Sequence, residues 1–482
     1  MSTNTAAPAG RPDDRTTGRP DAYDVLVIGA GPGGYVAAIK AAQHGKKTAV
    51  VEREALGGIC LNWGCIPTKA LLKSAEMLES MRHAKDFGLV ASEVKADFPA
   101  VMKRSRDVAN GMSKGIDFLM KKNKVTVLTG TASFSGAKTV TLTKADGSTQ
   151  SVTADNIIIA TGHKPRTFPH LPVDGRKVIN YRHALAMESL PKSVLCIGAG
   201  AIGMEFGFFL RSMGAAVTIV EVMDQVLPVE DAEIAKFVER QFSKNGVAVK
   251  TGTKVTKLED TPTGVKVHLE KDGKAEIVEV EKVLVAVGFL ANTEGLNLDT
   301  AGVKLDERGF IAVDEHQRTS APGVYAIGDV AGKQLLAHKA SFEGEAAVGH
   351  ICGQPAPVDY RQIPGCTYCQ PQVASIGLTE KKAAEGGRKL KIGRFQFVAS
   401  GKAKAIGHPE GMVKLIFDAE YEQLIGAHIV GVDATEMLGE LCLALRLECT
   451  AREIAETVHA HPTLAEAVME AAADALGHCV HQ

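Results

Sequence analysis

No sign of charge prevails in this chain. Its 55 lysines and arginines stand against 56 aspartates and glutamates, a balance that argues against a general nucleic-acid or membrane-surface binder. An apolar run of membrane-spanning length is also missing. The nearest stretch, residues 194–210, is broken by Glu205 and four glycines and reads as a strand, a turn and a buried helix. Residues 1–22 lack the apolar core of a secretory signal, and Asp13, Asp14 and Asp21 suit an acid-poor transit peptide badly. A disordered tail and a cytoplasmic location are therefore expected. Complete cysteine pairing is excluded, because the nine cysteines are odd in number, and their scatter suits a reducing compartment. What the chain does have is material for cores. Over 482 residues, 45% are hydrophobic and 23% charged, which sets an expectation of about three or four domains.

Order should begin at Tyr23. A short apolar run at 25–28 leads into Gly29, Gly31 and Gly34, then a helix over 35–44, then a strand over 48–51 that ends at Glu52. In such a unit the first glycine makes a tight turn and the second lets the backbone approach a pyrophosphate. The third lets helix and strand pack closely, and the acid reaches the ribose hydroxyls. The device recurs with a strand at 193–197, Gly198, Gly200 and Gly203, a helix to Met213, and a strand at 216–220 that meets Glu221. In both units the acid stands 23 positions after the first glycine. Two such units imply two dinucleotides or two halves of one site. Glu221 would repel a 2′-phosphate, and no arginine follows it in residues 222–225, so NAD is expected there rather than NADP.

Between these units, residues 57–70 read GGICLNWGCIPTKA. Cys60 and Cys65 have four residues between them, glycines loosen the chain around them, and Pro67 offers a helix start. If they are a working dithiol, a helix N-terminus beside them favours the thiolate, and Lys69 adds positive charge. The other reading is a pair of buried structural cysteines. Apolar residues at 71, 72, 75, 78 and 81 make the stripe of a packed helix over 69–83.

Thr161 and Gly162 mark a crossing from one unit to the next, and residues 284–288 a return. Residues 322–330 read as a strand ending on Gly328 and Asp329, where an acid either holds a cofactor polyol or caps a helix. From residue 358 on, strand-like stretches precede helices near 435–447 and 463–476, the pattern of a separate α+β domain. There Pro462 suits a first helical position, and His461 with Glu466 has the makings of a base and its orienting carboxylate. Cys366 and Cys369 have no second C-x-x-C and no thioredoxin-type setting, so they read as structural and no metal site is expected.

Taken in order, the two fingerprints, C-x-x-x-x-C, Gly-Asp and H-x-H-P-T-x-x-E resemble the pyridine nucleotide–disulfide oxidoreductases, most of all their dihydrolipoamide dehydrogenase branch. The resemblance covers residues 23–478. It implies an α/β fold with two Rossmann-like dinucleotide-binding domains, for FAD and NAD, and a C-terminal α+β interface (dimerisation) domain. The expected boundaries are a tail at 1–22, an FAD domain at 23–161, an NAD domain at 162–288, a central domain completing the FAD site at 289–357, and an interface domain at 358–482.

Carried residue by residue, the resemblance assigns Gly29, Gly31, Gly34, Glu52, Lys69, Thr161 and Asp329 to FAD. It assigns Gly198, Gly200, Gly203, Glu205 and Glu221 to the NAD side, with Lys69 paired to Glu205 beside the flavin. It makes Cys60 and Cys65 a redox disulfide, and His461 a base oriented by Glu466 that serves the other subunit of a homodimer. The implied reaction oxidises dihydrolipoyl groups of 2-oxo acid dehydrogenase complexes or the glycine cleavage system and reduces NAD+. Trp63 and Thr68 depart from the family's usual Val and Ser, and Trp63 is expected to narrow the lipoyl entrance. Glutathione reductase would need arginines after the second fingerprint, and mercuric reductase a C-terminal cysteine pair where only Cys479 stands. A pure docking or scaffold role leaves the intact dithiol and base unexplained.

Overall fold

The computed structural model describes residues 22–481. The tail expected over 1–22 lies outside the described residues except for Ala22, which is the first residue of a strand. Three sheets carry the molecule. In the first, Ala22–Ile28 is flanked in parallel by Thr48–Glu52 on one side and Thr149–Ile159 on the other, and Thr126–Thr129 extends the Thr48–Glu52 side. Ala22–Ile28 and Thr48–Glu52 are largely buried because both faces of the sheet are covered, one by the helices Pro32–Gln43 and Phe98–Lys122 and the other by the strands Thr131–Gly136 and Thr139–Thr143. The strand Thr149–Ile159 is shared along its far edge. Its first half pairs with the antiparallel strand Thr139–Thr143, and Ile157–Ile159 pair with Val324–Ala326, which returns from far along the chain.

The second sheet is all parallel, in the order Ala248–Lys250, Ala216–Val220, Ser193–Ile197, Lys282–Val285, Val178–Ile179. The two crossings between the first and second sheets run side by side as an antiparallel pair, His163–Pro165 with Phe289–Ala291. Asn292 fastens them by donating to the carbonyls of Thr161 and His163 at 3.0 and 2.9 Å. The third sheet is antiparallel and five-stranded, with Ala434–Arg446 and Glu466–Ala475 packed on it.

Two local expectations need correction. The strand expected over 322–330 is only Val324–Ala326, and Gly328–Ala331 is a 3₁₀ turn. The reason is a buried ion pair. Lys339, on the helix Ala337–Ile351, donates to the carbonyls of Gly328 and Gly332, while Glu343 accepts from the Gly328 N–H at 2.7 Å and from Lys339 at 3.0 Å. Those bonds draw the backbone off the sheet, and Gly328 takes the positive φ of +72° that this needs. Secondly, Pro462 does not open a helix. Glu466–Ala475 starts four residues later, because the Glu466 carboxylate takes the Thr463 N–H and the Thr463 hydroxyl turns back to the Ala460 carbonyl.

Both members of the Lys339–Glu343 pair are 0% exposed, and Tyr360 completes it by donating to Glu343 at 2.7 Å. Replacing Lys339 by methionine strands a buried carboxylate and is expected to cost about 3–5 kcal/mol. The urea midpoint reads this directly, and a loss below about 1 kcal/mol would show that the pair is not the clamp described.

Candidate active site

The two glycine loops are the same object built twice. Gly29 has φ +103°, and a Cβ there would lie 2.4 Å from the Ala160 carbonyl oxygen. A Cβ on Gly34 would come within 1.9 Å of the Gly29 oxygen, whereas one on Gly31 would meet nothing within 4 Å. Gly198, Gly203 and Gly200 repeat these three circumstances, with 2.4 Å, 1.9 Å and open space. So the first and third glycines are required by the protein itself, and the second leaves room for something else to approach.

The helices that follow, Pro32–Gln43 and Ala201–Met213, have no side chain capping their first turns and no acid in them. Their leading N–H groups are thus aimed at the open side, where the helix dipole favours an anion. Glu52 accepts from the N–H of Ala30 at 2.9 Å and of Glu54 at 2.8 Å. Glu221 does the same with Ala199 at 2.7 Å and Met223 at 2.9 Å. Each carboxylate is therefore fixed at the rim of its loop. At the second loop a cavity of about 340 Å³ is lined by Gly198, Gly200, Glu221, Gly288 and Phe289 among others. Open backbone at the middle glycine, unspent helix N–H groups and a fixed rim acid are the donor set that a dinucleotide needs, so both loops fit one.

Cys60 and Cys65 are joined as a disulfide, with their Cα atoms 4.7 Å apart. Residues 57–64 are more ordered than the sequence suggests. Cys60 sits in a short helix, Gly58–Trp63, and Cys65 is the first residue of the helix Cys65–Arg82. Gly64 alone separates the two helices. One turn on, Lys69 donates to both oxygens of Glu205 at 2.9 Å, and Glu205 also accepts from the N–H of Tyr368 at 3.0 Å. The Lys69 ammonium lies 4.3 Å from the Tyr368 ring centroid. A carboxylate in the middle of an apolar helix is thereby paired, and the dithiol helix is tied to the helix of the second glycine loop.

Asp329 lies in the clamped turn and meets a residue that no motif singles out. His163 Nδ1 is 2.5 Å from the Asp329 carboxylate, and its ring lies 3.9 Å from that of Phe289. Asp329 is not a helix cap, since Ile327 precedes the 3₁₀ turn. Thr161 spends its hydroxyl on the Asn292 carbonyl at 2.7 Å, within the crossing. No local pattern announces His163; only the crossing, which brings residues 163 and 329 together, reveals it.

His461 stands apart from these groups. Its Nδ1 is 2.8 Å from Glu466 Oε1, and its side chain is 78% exposed. Burial alone would raise the Glu466 carboxyl, but the Thr463 N–H and His461 outweigh it and hold the group below the usual carboxylate range. The neighbouring His459 is of another kind, buried and bonded to Glu440 at 2.9 Å. Cys366 and Cys369 are both free; burial pushes the Cys366 thiol up to about 11 and raises that of Cys369 further, so neither is a ready nucleophile. Among the described residues no cluster of histidine, cysteine and acid could hold a metal ion, and no helix is long and apolar enough to cross a membrane.

Comparison with known proteins agrees with this geometry. The family model for pyridine nucleotide-disulphide oxidoreductases matches residues 23–344, and the model for the dimerisation domain of that family matches 363–472. A dihydrolipoyl dehydrogenase of Rhizobium etli is 48% identical over 475 residues, covering 95% of this chain and 98% of that one. One from Chlorobaculum parvum is 50% identical over 456 residues, covering 94% and 97%. Among solved structures, LpdA from Mycobacterium tuberculosis superposes with a TM-score of 0.87 at 29% identity, over 93% of this chain and 99% of its own. The flavoprotein disulfide reductase RclA of Escherichia coli, at 23% identity and a TM-score of 0.84, shares the fold over 94% of this chain and 99% of its own.

Proposed function

The chain belongs to the pyridine nucleotide-disulphide oxidoreductases, and from that premise we propose how its residues share the work of its reaction. The activity is that of a dihydrolipoyl dehydrogenase, in which dihydrolipoyl groups are oxidised to lipoyl through the Cys60–Cys65 disulfide and FAD, and NAD+ is reduced to NADH. The dimerisation domain makes the chain one half of a homodimer.

His461 takes the proton of a dihydrolipoyl thiol, because the thiolate and not the thiol attacks a disulfide. Glu466 keeps the imidazole in the tautomer that accepts at Nε2 and balances the charge it gains. As the substrate sulfur bonds to Cys60, the Cys60–Cys65 bond breaks and Cys65 departs as a thiolate. Its place at the start of the helix Cys65–Arg82 stabilises that charge. The second substrate thiol then displaces Cys60, closing the lipoyl ring and leaving the enzyme's cysteines with the electron pair. FAD, held by the first loop, would supply the two-electron path from the reduced cysteine pair to NAD+ on the second loop.

The first loop (Gly29, Gly31, Gly34 and Glu52), with Lys69, Thr161 and Asp329, is the FAD set. The second loop (Gly198, Gly200, Gly203 and Glu221), with Glu205, is the NAD set. Residues 23–161 and 289–357 build the flavin site, 162–288 the NAD domain and 358–482 the interface domain. The exposure of His461, within the segment matched by the dimerisation model, supports its service to the dithiol of the other subunit. The substrate arm belongs to lipoyl domains of 2-oxo acid dehydrogenase complexes or of the glycine cleavage system, and the location is the cytoplasm.

The observation that carries this reading is the disulfide itself, set on a helix whose Lys69 grips Glu205 of the second loop's helix. The test is an anaerobic assay with dihydrolipoamide, offering NAD+ and NADP+ separately. NADH formation at least about tenfold faster than NADPH formation is expected, since a rim carboxylate repels a 2′-phosphate. A flavin that NADH reduces but dihydrolipoamide does not would send the substrate search to other disulfides.

A further inference from the structure

Trp63, the chain's one tryptophan, closes the helix that carries Cys60, and its indole is engaged on three sides. Its N–H donates to Glu54 Oε1 at 2.7 Å. The Arg106 guanidinium lies 4.4 Å from the ring centroid and that of Arg182 5.3 Å, both within cation–π reach. Arg106 also donates to the Asn62 carbonyl at 2.5 Å, while its other terminal nitrogen is buried with no hydrogen-bond partner. The indole face is thus the main company of that guanidinium. Glu54 in turn accepts both terminal nitrogens of Arg182, each at 2.9 Å, a bidentate pair with the fixed geometry of a fork.

These residues come from separate parts of the fold. Glu54 follows the strand Thr48–Glu52 of the first sheet, and Arg106 is on the helix Phe98–Lys122. Arg182 lies in the turn Tyr181–Ala184, directly after the edge strand Val178–Ile179 of the second sheet. Its neighbour Tyr181 meets Phe289 edge-on at 6.4 Å, and Phe289 lines the cavity beside Gly198 and Glu221. The path from the dithiol helix to the wall of the second nucleotide's cavity is therefore short and continuous.

We propose that Trp63 is a positioning residue for NAD. Through Glu54 and Arg182 it holds the second sheet, and with it the Phe289 wall, in the setting that binds the nucleotide. The proposal rests on the second loop being the NAD site and deepens that assignment. It differs from a narrowed lipoyl entrance, in which Trp63 would act on the disulfide substrate. A half-exposed ion pair alone contributes little. Here the same carboxylate is shared by an indole N–H and a bidentate guanidinium, and the ring is faced by two cations, so loss of the indole loosens the whole tie. A looser tie lets settings unfit for NAD be populated, and apparent affinity falls by the fraction lost.

The test is calorimetric titration of the FAD-loaded protein with NAD+, for wild type, Trp63→Val, Arg182→Met and the double variant. Each single change is expected to weaken NAD+ binding by about fivefold, and the double by about the same factor because both break one tie. KM for dihydrolipoamide should stay within about twofold in every variant. An unchanged NAD+ affinity overturns the proposal, even if thermal stability falls, since the tie would then be structural only. So does a double variant whose loss multiplies the two singles, or a shift confined to the dihydrolipoamide KM. Because binding is read directly, a wild type that binds NAD+ yet leaves dihydrolipoamide unoxidised fails the functional reading, and the affinity comparison still decides this one.

Discussion

Cys65→Ser is expected to lower dihydrolipoamide-dependent NADH formation by at least about 10³-fold while leaving the fold and the FAD content intact. Oxidation of a dihydrolipoyl group to its cyclic disulfide releases two electrons, and the Cys60–Cys65 bond is the acceptor that the protein itself offers. A serine at 65 leaves Cys60 a lone thiol, which has no bond to surrender and cannot take them. The substitution is small, and Cys65 is exposed at the first position of its helix, so no core packing is lost. Electron transfer from NADH to an artificial quinone bypasses the dithiol, and it should persist within about threefold, which separates loss of the disulfide from damage to the nucleotide sites. Residual lipoamide turnover above a few per cent would mean that another pair of thiols reaches the substrate.

Which parts of this machine the chain announces depends on how local their cause is. The glycine loops are legible because each glycine answers a clash or a contact within its own strand–turn–helix unit. Gly203 is needed by the Gly198 carbonyl, five residues away, so position and spacing carry the whole reason. Cys60 and Cys65 are legible likewise, as are the strands Ser193–Ile197 and Ala216–Val220, whose apolar runs match their burial. The contacts that hold the units together are not local. His163 meets Asp329 across 166 positions, and Arg182 meets Glu54 across 128. Nothing near either partner in sequence encodes the meeting, which exists because the crossings 163–165 and 289–291 run side by side.

The Lys69–Glu205 pair spans 136 positions and was expected only through family resemblance. Lys339 and Glu343 are more instructive still. At i and i+4 on a helix they have the spacing of a solvated surface pair, yet both are fully buried. Burial comes from the turn at Gly328 and from Tyr360, neither of which the helix foretells. The shortened strand at 324–326 follows from the same clamp.

His461→Gln is the second large effect, with an expected loss of about 10²–10⁴-fold in kcat/KM for dihydrolipoamide. Glutamine keeps a hydrogen-bonding group near Glu466 but cannot carry the thiol proton, so the loss isolates proton transfer from positioning. Glu466→Gln should cost less, since it leaves the imidazole in place and removes only the charge that steadies its protonated form. Because the Glu466 carboxyl is held below its usual range, it is ionised throughout neutral pH and loses its charge only as pH falls below that lowered value. Acid loss of activity around neutrality therefore does not come from Glu466. The decisive form of the experiment uses two dead chains. In a hybrid dimer of Cys60→Ser with His461→Gln, a base that serves its own chain's dithiol gives two dead sites. A base that serves the other subunit gives one complete site, because the intact histidine faces the intact dithiol. Random reassociation makes half of all dimers hybrids with one of two sites working, so about a quarter of wild-type activity should return. Activity no greater than the sum of the two inactive parents would assign His461 to its own subunit or to no proton at all.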